Sequence, residues 1–110
     1  MPYDEQLADR IRGVLKGKRN ITEKKMFGGI CFFLKGNILC GIHKKNLILR
    51  LGPDEAEIAL LRPHFGPFDI TGRPMKGWVM AKPAGFKSDE KLKAEIELAM
   101  QFVKGLPAKD

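Results

Sequence analysis

Cysteine and histidine are scarce in this chain, with two of each in 110 residues. Cys31 and Cys40 stand nine positions apart in apolar runs, and no Cys-X-X-Cys pair or Cys/His cluster accompanies them. His43 and His64 do not stand at metal-ligand spacing with them, so the common zinc motifs are excluded and no metal is expected. No apolar run reaches the ~18 residues that a membrane-spanning helix needs. The opening Met1-Pro2-Tyr3-Asp4-Glu5 is acidic and polar and is not a secretion signal. A cytoplasmic location is therefore expected, where two free thiols stay reduced. No Ser-His-Asp set is apparent, and Gly28-Gly29 lacks the Gly-Lys-Ser/Thr ending of a phosphate loop. The acids gather at helix starts, where the helix dipole accounts for them. No cofactor and no catalytic residue is expected, and the chain reads as a non-enzyme.

What the sequence has instead is positive charge, unevenly placed. The net charge is +7. Residues 21–50 carry six Lys/Arg against one Glu, and residues 71–87 carry four cations and no acid. Residues 51–70 run the other way, at −3. A basic face attracts nucleic acid, an anionic ligand or an acidic protein, although a small soluble domain commonly carries a net charge of this size.

The periodicity predicts one domain over residues 1–110. Leu7, Ile11, Val14 and Leu15 form an apolar stripe on a helix from Asp4 to Lys16, with Gly17 as the stop. Ile21–Met26 is a first strand candidate. Ile30–Leu34, Ile38–Ile42 and Leu47–Leu51 then form an antiparallel meander turned at Gly36-Asn37 and Lys44-Lys45. That register places Cys31, Phe33, Ile38, Cys40 and Ile42 on one face with Leu47, Leu49 and Leu51, and this wholly apolar face is expected to be the core. The other face holds Ile30, Phe32, Leu34, Leu39, His43, Ile48 and Arg50, and calls for partial cover by a helix, a loop or a second subunit. Cys31 and Cys40 are then diagonal neighbours, ~6–8 Å apart and too far for an undistorted disulfide. Gly52-Pro53-Asp54 opens a short helix ended by Arg62-Pro63, His64–Asp69 reads as a loop, and Gly77–Lys82 as a last strand. Ser88 caps a final helix whose stripe is Leu92, Ile96, Ala99, Met100 and Val103, closed by Lys104-Gly105-Leu106-Pro107. The expected class is α+β, a two-layer sandwich of a mainly antiparallel sheet (four to five strands) with N- and C-terminal helices.

Two segments concentrate recognition side chains. Thr71-Gly72-Arg73-Pro74-Met75-Lys76-Gly77-Trp78-Val79 gathers two glycines, a proline, two cations and the only tryptophan. Arg73 and Lys76 can reach out while Met75 and Trp78 form an apolar floor; alternatively Trp78 simply anchors the last strand in the core. Lys24-Lys25-Met26-Phe27-Gly28-Gly29 poses the same choice, since lysines also protect an edge strand. The candidate partner-binding residues are Lys25, Phe27, Arg50, Arg73, Met75, Lys76 and Trp78, provided the two segments are neighbours in space. The alternative reading is direct nucleic-acid binding by the basic face, with affinity that falls steeply with salt. The half-apolar second face is also compatible with a homodimer.

Met26-Phe27-Gly28-Gly29, Leu39-Cys40-Gly41, Leu49-Arg50-Leu51-Gly52 and Thr71–Trp78, with Tyr3-Asp4-Glu5 and Phe102–Pro107, together resemble the N-terminal domain of the TfoX/Sxy family of bacterial competence regulators. The resemblance implies a secretion-chaperone-like α/β sandwich. It also implies a protein-interaction role in transcription regulation of DNA-uptake genes, with transcription machinery as partner. Family regulators carry a second, helical C-terminal domain, so a chain ending at Asp110 is expected to be a stand-alone copy.

Overall fold

The computed structural model describes residues 3–26, 28–68 and 75–108. The first helix, α1 (Glu5–Leu15), starts where Asp4 accepts hydrogen bonds from the backbone N–H groups of Gln6 and Leu7. Its stripe of Leu7, Ala8, Ile11 and Leu15 is buried. Four strands follow, β1 (Ile21–Met26), β2 (Gly29–Leu34), β3 (Asn37–His43) and β4 (Asn46–Arg50). Pro53 occupies the first turn of α2 (Pro53–Ala59), where its missing N–H costs nothing. Then come β5 (Phe65–Pro67), β6 (Trp78–Ala81), a 3-10 turn at Pro83–Phe86 and α3 (Asp89–Val103), which Ser88 caps by accepting from the Lys91 N–H.

The strands form a single antiparallel sheet in the order β1-β2-β3-β4-β6-β5. This is the expected α+β class, with six strands where four to five were expected. The additional strand is β5, in the stretch read as a loop. It is three residues long, contains Gly66 and Pro67, and pairs only with β6, so it carries no alternation for a sequence reading to detect.

The meander is shifted relative to the sequence reading. Lys35 and Gly36, not Gly36 and Asn37, make the β2–β3 turn, both at positive φ (52° and 84°), as a type I′ turn requires. Asn37 is a strand residue paired with Leu34, and its side-chain amide donates to the Pro107 carbonyl beyond α3. A bulge then leaves Leu39 as an extra residue: Phe33 pairs with Ile38, but Phe32 pairs with Cys40. The turn shift alone keeps odd residues of β2 opposite even residues of β3, so it is the bulge that overturns half of the expected facing. Ile30, Phe32 and Leu34 join Cys40, Ile42, Leu47, Leu49 and Leu51 in the core under α1 and α3. Cys31, Phe33 and Ile38 belong to the other face, with Gly41, Ile48 and Arg50. The β3–β4 register with Lys44-Lys45 as turn is as expected.

Helices cover one face of the sheet. The core cluster joins α1, α3 and the inner faces of β2, β3, β4 and β6, with Ala56 and Ala59 of α2 closing it near β6. Among the described residues, no buried side-chain polar atom lacks a partner, and no helix is long and apolar enough to cross a membrane.

Candidate partner-binding groove

The sheet face away from the helices holds a hollow of about 100 Å³. Gly41 lies at its floor, where a side chain would stand 2.9 Å from the Ile30 carbonyl oxygen and 3.1 Å from the Cys31 Sγ. Cys31, Ile38 and Ile48 flank it, and Met26 and His43 close one side. Phe68, Met75 and Trp78 stand on the other. This is the partial cover that a half-apolar face calls for, and it comes from the two ends of the connection between β5 and β6. The rings of Phe68 and Trp78 are 5.8 Å apart and tilted by 40°, and the Met75 N–H donates to the Phe68 carbonyl.

Trp78 is held at this place by the backbone around it. Gly77 takes φ 89°, and its carbonyl accepts from both the Leu51 and Gly52 N–H groups, which ties the start of β6 to the end of β4. Arg50 is the cross-strand partner of Trp78. Its guanidinium lies 5.3 Å from the Trp78 ring centroid and 6.0 Å from that of Phe102, so the cation is stacked between a groove residue and the end of α3. Trp78 is half-buried on the open face and does not enter the core beneath the helices.

Of the seven residues proposed from sequence, Met75 and Trp78 line the groove, Arg50 stacks on Trp78, and Lys76 follows Met75 in the chain. Met75 and Lys76 are exposed. Lys25 lies elsewhere. It pairs with Ile30, whose side chain is in the core, so Lys25 projects from the helix-bearing face beside Glu23 and Tyr3. Lys24, opposite Cys31, is the lysine that shares the open face with Met26. Alternation along β1 carries this information, but choosing which lysine faces the groove needed the β2 register. Phe27 and Arg73 lie outside the described residues. Phe68, Ile38 and Ile48 are groove residues that the sequence reading did not propose; Phe68 lay in a presumed loop, and Ile38 was assigned to the opposite face.

Burial pushes both thiols up from their ordinary pKa, and for Cys40 the nearby Cys31 adds to it, so neither is a ready nucleophile. The two cysteines sit on opposite faces of the sheet, not on the shared face expected, and both are free and buried. Among the described residues, no group of three or more His, Cys, Asp or Glu is placed to hold a metal ion. None of the ion pairs among the described residues involves Lys24, Arg50 or Lys76.

No curated protein and no solved structure matches the chain. A family model for the TfoX N-terminal domain matches residues 14–103, from the end of α1 to the end of α3, and so takes in the whole sheet and its groove. That span is most of the molecule, and the chain belongs to the TfoX N-terminal domain family.

Proposed function

We propose that this domain is a non-catalytic regulatory module that captures an acidic partner protein on its open sheet face, in the transcriptional control of competence genes. Membership of the TfoX N-terminal domain family, which is not a known enzyme family, supports a regulatory domain. The observation that carries the interaction reading is the groove itself. Its lining is apolar; Lys24 shares the open face opposite Cys31, Arg50 stacks on Trp78 and the exposed Lys76 follows Met75, and none of the three is in an ion pair among the described residues. Trp and Arg are favoured anchors of protein interfaces, and here they are already stacked on each other. Cations at the rim steer an acidic partner and fix its orientation, while the apolar floor supplies the contact area. The apolar floor is also what favours protein over nucleic acid, whose backbone would need cations along the whole track.

The test is capture from a lysate of the native host, comparing the native chain with the Lys24→Ala, Lys76→Ala double variant. Both side chains are exposed, so the melting temperature should move by no more than about 2 °C. Loss of the captured proteins at an unchanged melting temperature is the expected result. Equal capture by both chains removes the groove from the function. A large fall in melting temperature shows instead that these lysines serve the fold.

A further inference from the structure

The most exposed apolar side chains described in this molecule are not in the groove. Ile58, in the last turn of α2, is 55% exposed, and Leu61, in the turn just after the helix, is 88% exposed. Asp54, Glu57 and Ile58 share the outward side of α2, and the turn that follows, closed by the Leu61 N–H on the Ile58 carbonyl, leaves Leu61 exposed beside them, so the stripe they form is acidic at its start and apolar at its end. The inward residues Ala56 and Ala59 already fix the helix to the core, so the fold makes no use of the outward stripe. Exposed leucine and isoleucine side chains grouped in this way mark a contact surface. Arg62, the nearest following cation, is committed to Glu95.

We infer that the groove of one copy of this chain receives the α2 stripe of a second copy. The inference rests on reading the groove as an interaction surface, and it names the occupant. The two surfaces complement each other in both respects that matter. The groove is apolar with cations around it, and the stripe is apolar with carboxylates beside it. In the contact, Ile58 and Leu61 lie over Ile48, Met75 and Trp78, and Asp54 and Glu57 approach Lys76. The two patches are different surfaces, so the contact is head-to-tail, and each bound copy still offers one free groove and one free stripe. Association of this kind grows past the dimer with concentration. A seven-residue helix against a hollow of this size makes a small interface, so the association is weak, with a dissociation constant on the order of 10–100 µM. A filled groove cannot take another protein, so self-association and partner capture exclude one another.

Sedimentation and light scattering of the full chain over a concentration series test this. The native chain should grow beyond a dimer, and raising salt from about 50 mM to about 500 mM should weaken the association about tenfold. Two variants separate the surfaces: Ile58→Asn with Leu61→Asp removes the stripe, and Met75→Glu with Lys76→Glu removes the groove. All four positions are exposed, and circular dichroism melts check that both variants fold; should Met75→Glu lower the melt, Lys24→Glu with Lys76→Glu takes its place. Each variant alone should be monomeric. Mixed in equal amounts they should form a 1:1 complex, because one retains the groove and the other the stripe. A native chain that stays monomeric to about 1 mM, a variant that associates like the native chain, or a mixture that stays monomeric overturns the inference. Lysate capture by the lysine variant above is read separately, so a monomeric chain whose groove still captures host proteins would sink self-association and leave the functional reading standing.

Discussion

Gly29 sits where the backbone of β3 leaves no room for a side chain. A side chain there would run into the Ile42 carbonyl oxygen, which is main chain and cannot swing away. Gly28, beside it, takes φ 72° at the β1–β2 turn. The Gly-Gly pair is thus an architectural feature, and no phosphate loop is needed to explain it. Gly13, on the exposed side of α1, meets nothing within 4 Å. The two glycines therefore predict opposite outcomes in urea denaturation. Gly29→Ala should lose at least about 2 kcal/mol, because backbone must shift to admit the methyl group. Gly13→Ala should gain up to about 1 kcal/mol from helix propensity. Equal effects at the two sites would contradict the close approach of the strands. At this scale the sequence was legible wherever a residue signals its own local geometry. The cap Ser88 and Pro53 at the start of α2 read directly, whereas Asp4, read as the first helical residue, is the cap of α1.

Elements were legible as elements, but their mutual register was not. Gly36-Asn37 looks like a hairpin turn as readily as Lys35-Gly36 does, since Lys35 at positive φ leaves no mark in sequence. With strands apolar on both faces, a slip of the turn meets no polar residue to expose it. The bulge at Leu39 then reverses the facing within β3, and Cys31 changed sides for that reason. The ties between elements are similarly hidden. Arg62 donates to Glu95 through both its Nη atoms while its guanidinium lies 4.3 Å from the Phe65 ring centroid, clamping the end of α2, β5 and α3 together. Glu95 is the one buried charged residue among those described, with Arg62 as its partner. Arg62→Ala should therefore cost about 2–4 kcal/mol in denaturant unfolding, since it strands a buried carboxylate, whereas Arg62→Ala with Glu95→Leu should recover most of that loss. A double variant no more stable than the single one would show that the Phe65 stacking carries the clamp.

Arg12 and Glu23, between α1 and β1, predict a dependence on pH. The Arg12 Nε and Nη2 atoms donate to the two Glu23 oxygens at 3.0 and 2.6 Å, and these bonds hold the Glu23 carboxyl below its ordinary pKa. A carboxyl so lowered contributes stability that is complete above the ordinary carboxylate range and is lost as pH falls through the lowered value. Both side chains are about two-fifths exposed, so the contribution is below about 1 kcal/mol. Glu23→Gln should accordingly cost little at neutral pH and nothing under strongly acidic conditions, where the native carboxyl is itself protonated. A cost that persisted under those conditions would place the effect in packing.

For the whole molecule the decisive quantity is where its +7 charge lies. Lys24 and Lys25 project from opposite faces of β1. Lys44 and Lys45 form the β3–β4 turn, Lys91 and Lys93 lie on α3, and Lys18 borders α3 beside Lys104. The described cations thus surround the molecule, and no helix gathers them on one face to enter a DNA groove. Regional sums along the chain find the basic segments, but alternation sends Lys24 and Lys25, neighbours in β1, to different sides of the sheet. A distributed field of this kind should draw duplex DNA only at low ionic strength. Binding should be detectable near 20 mM salt, lost by about 150 mM, and steep in log salt. Replacing Lys24 and Lys76 at the groove should weaken it no more than replacing Lys91 and Lys93 on α3, because each pair removes the same charge. Binding that persists at the higher salt and collapses only with the groove pair would make the groove a nucleic-acid site and displace the protein-partner reading.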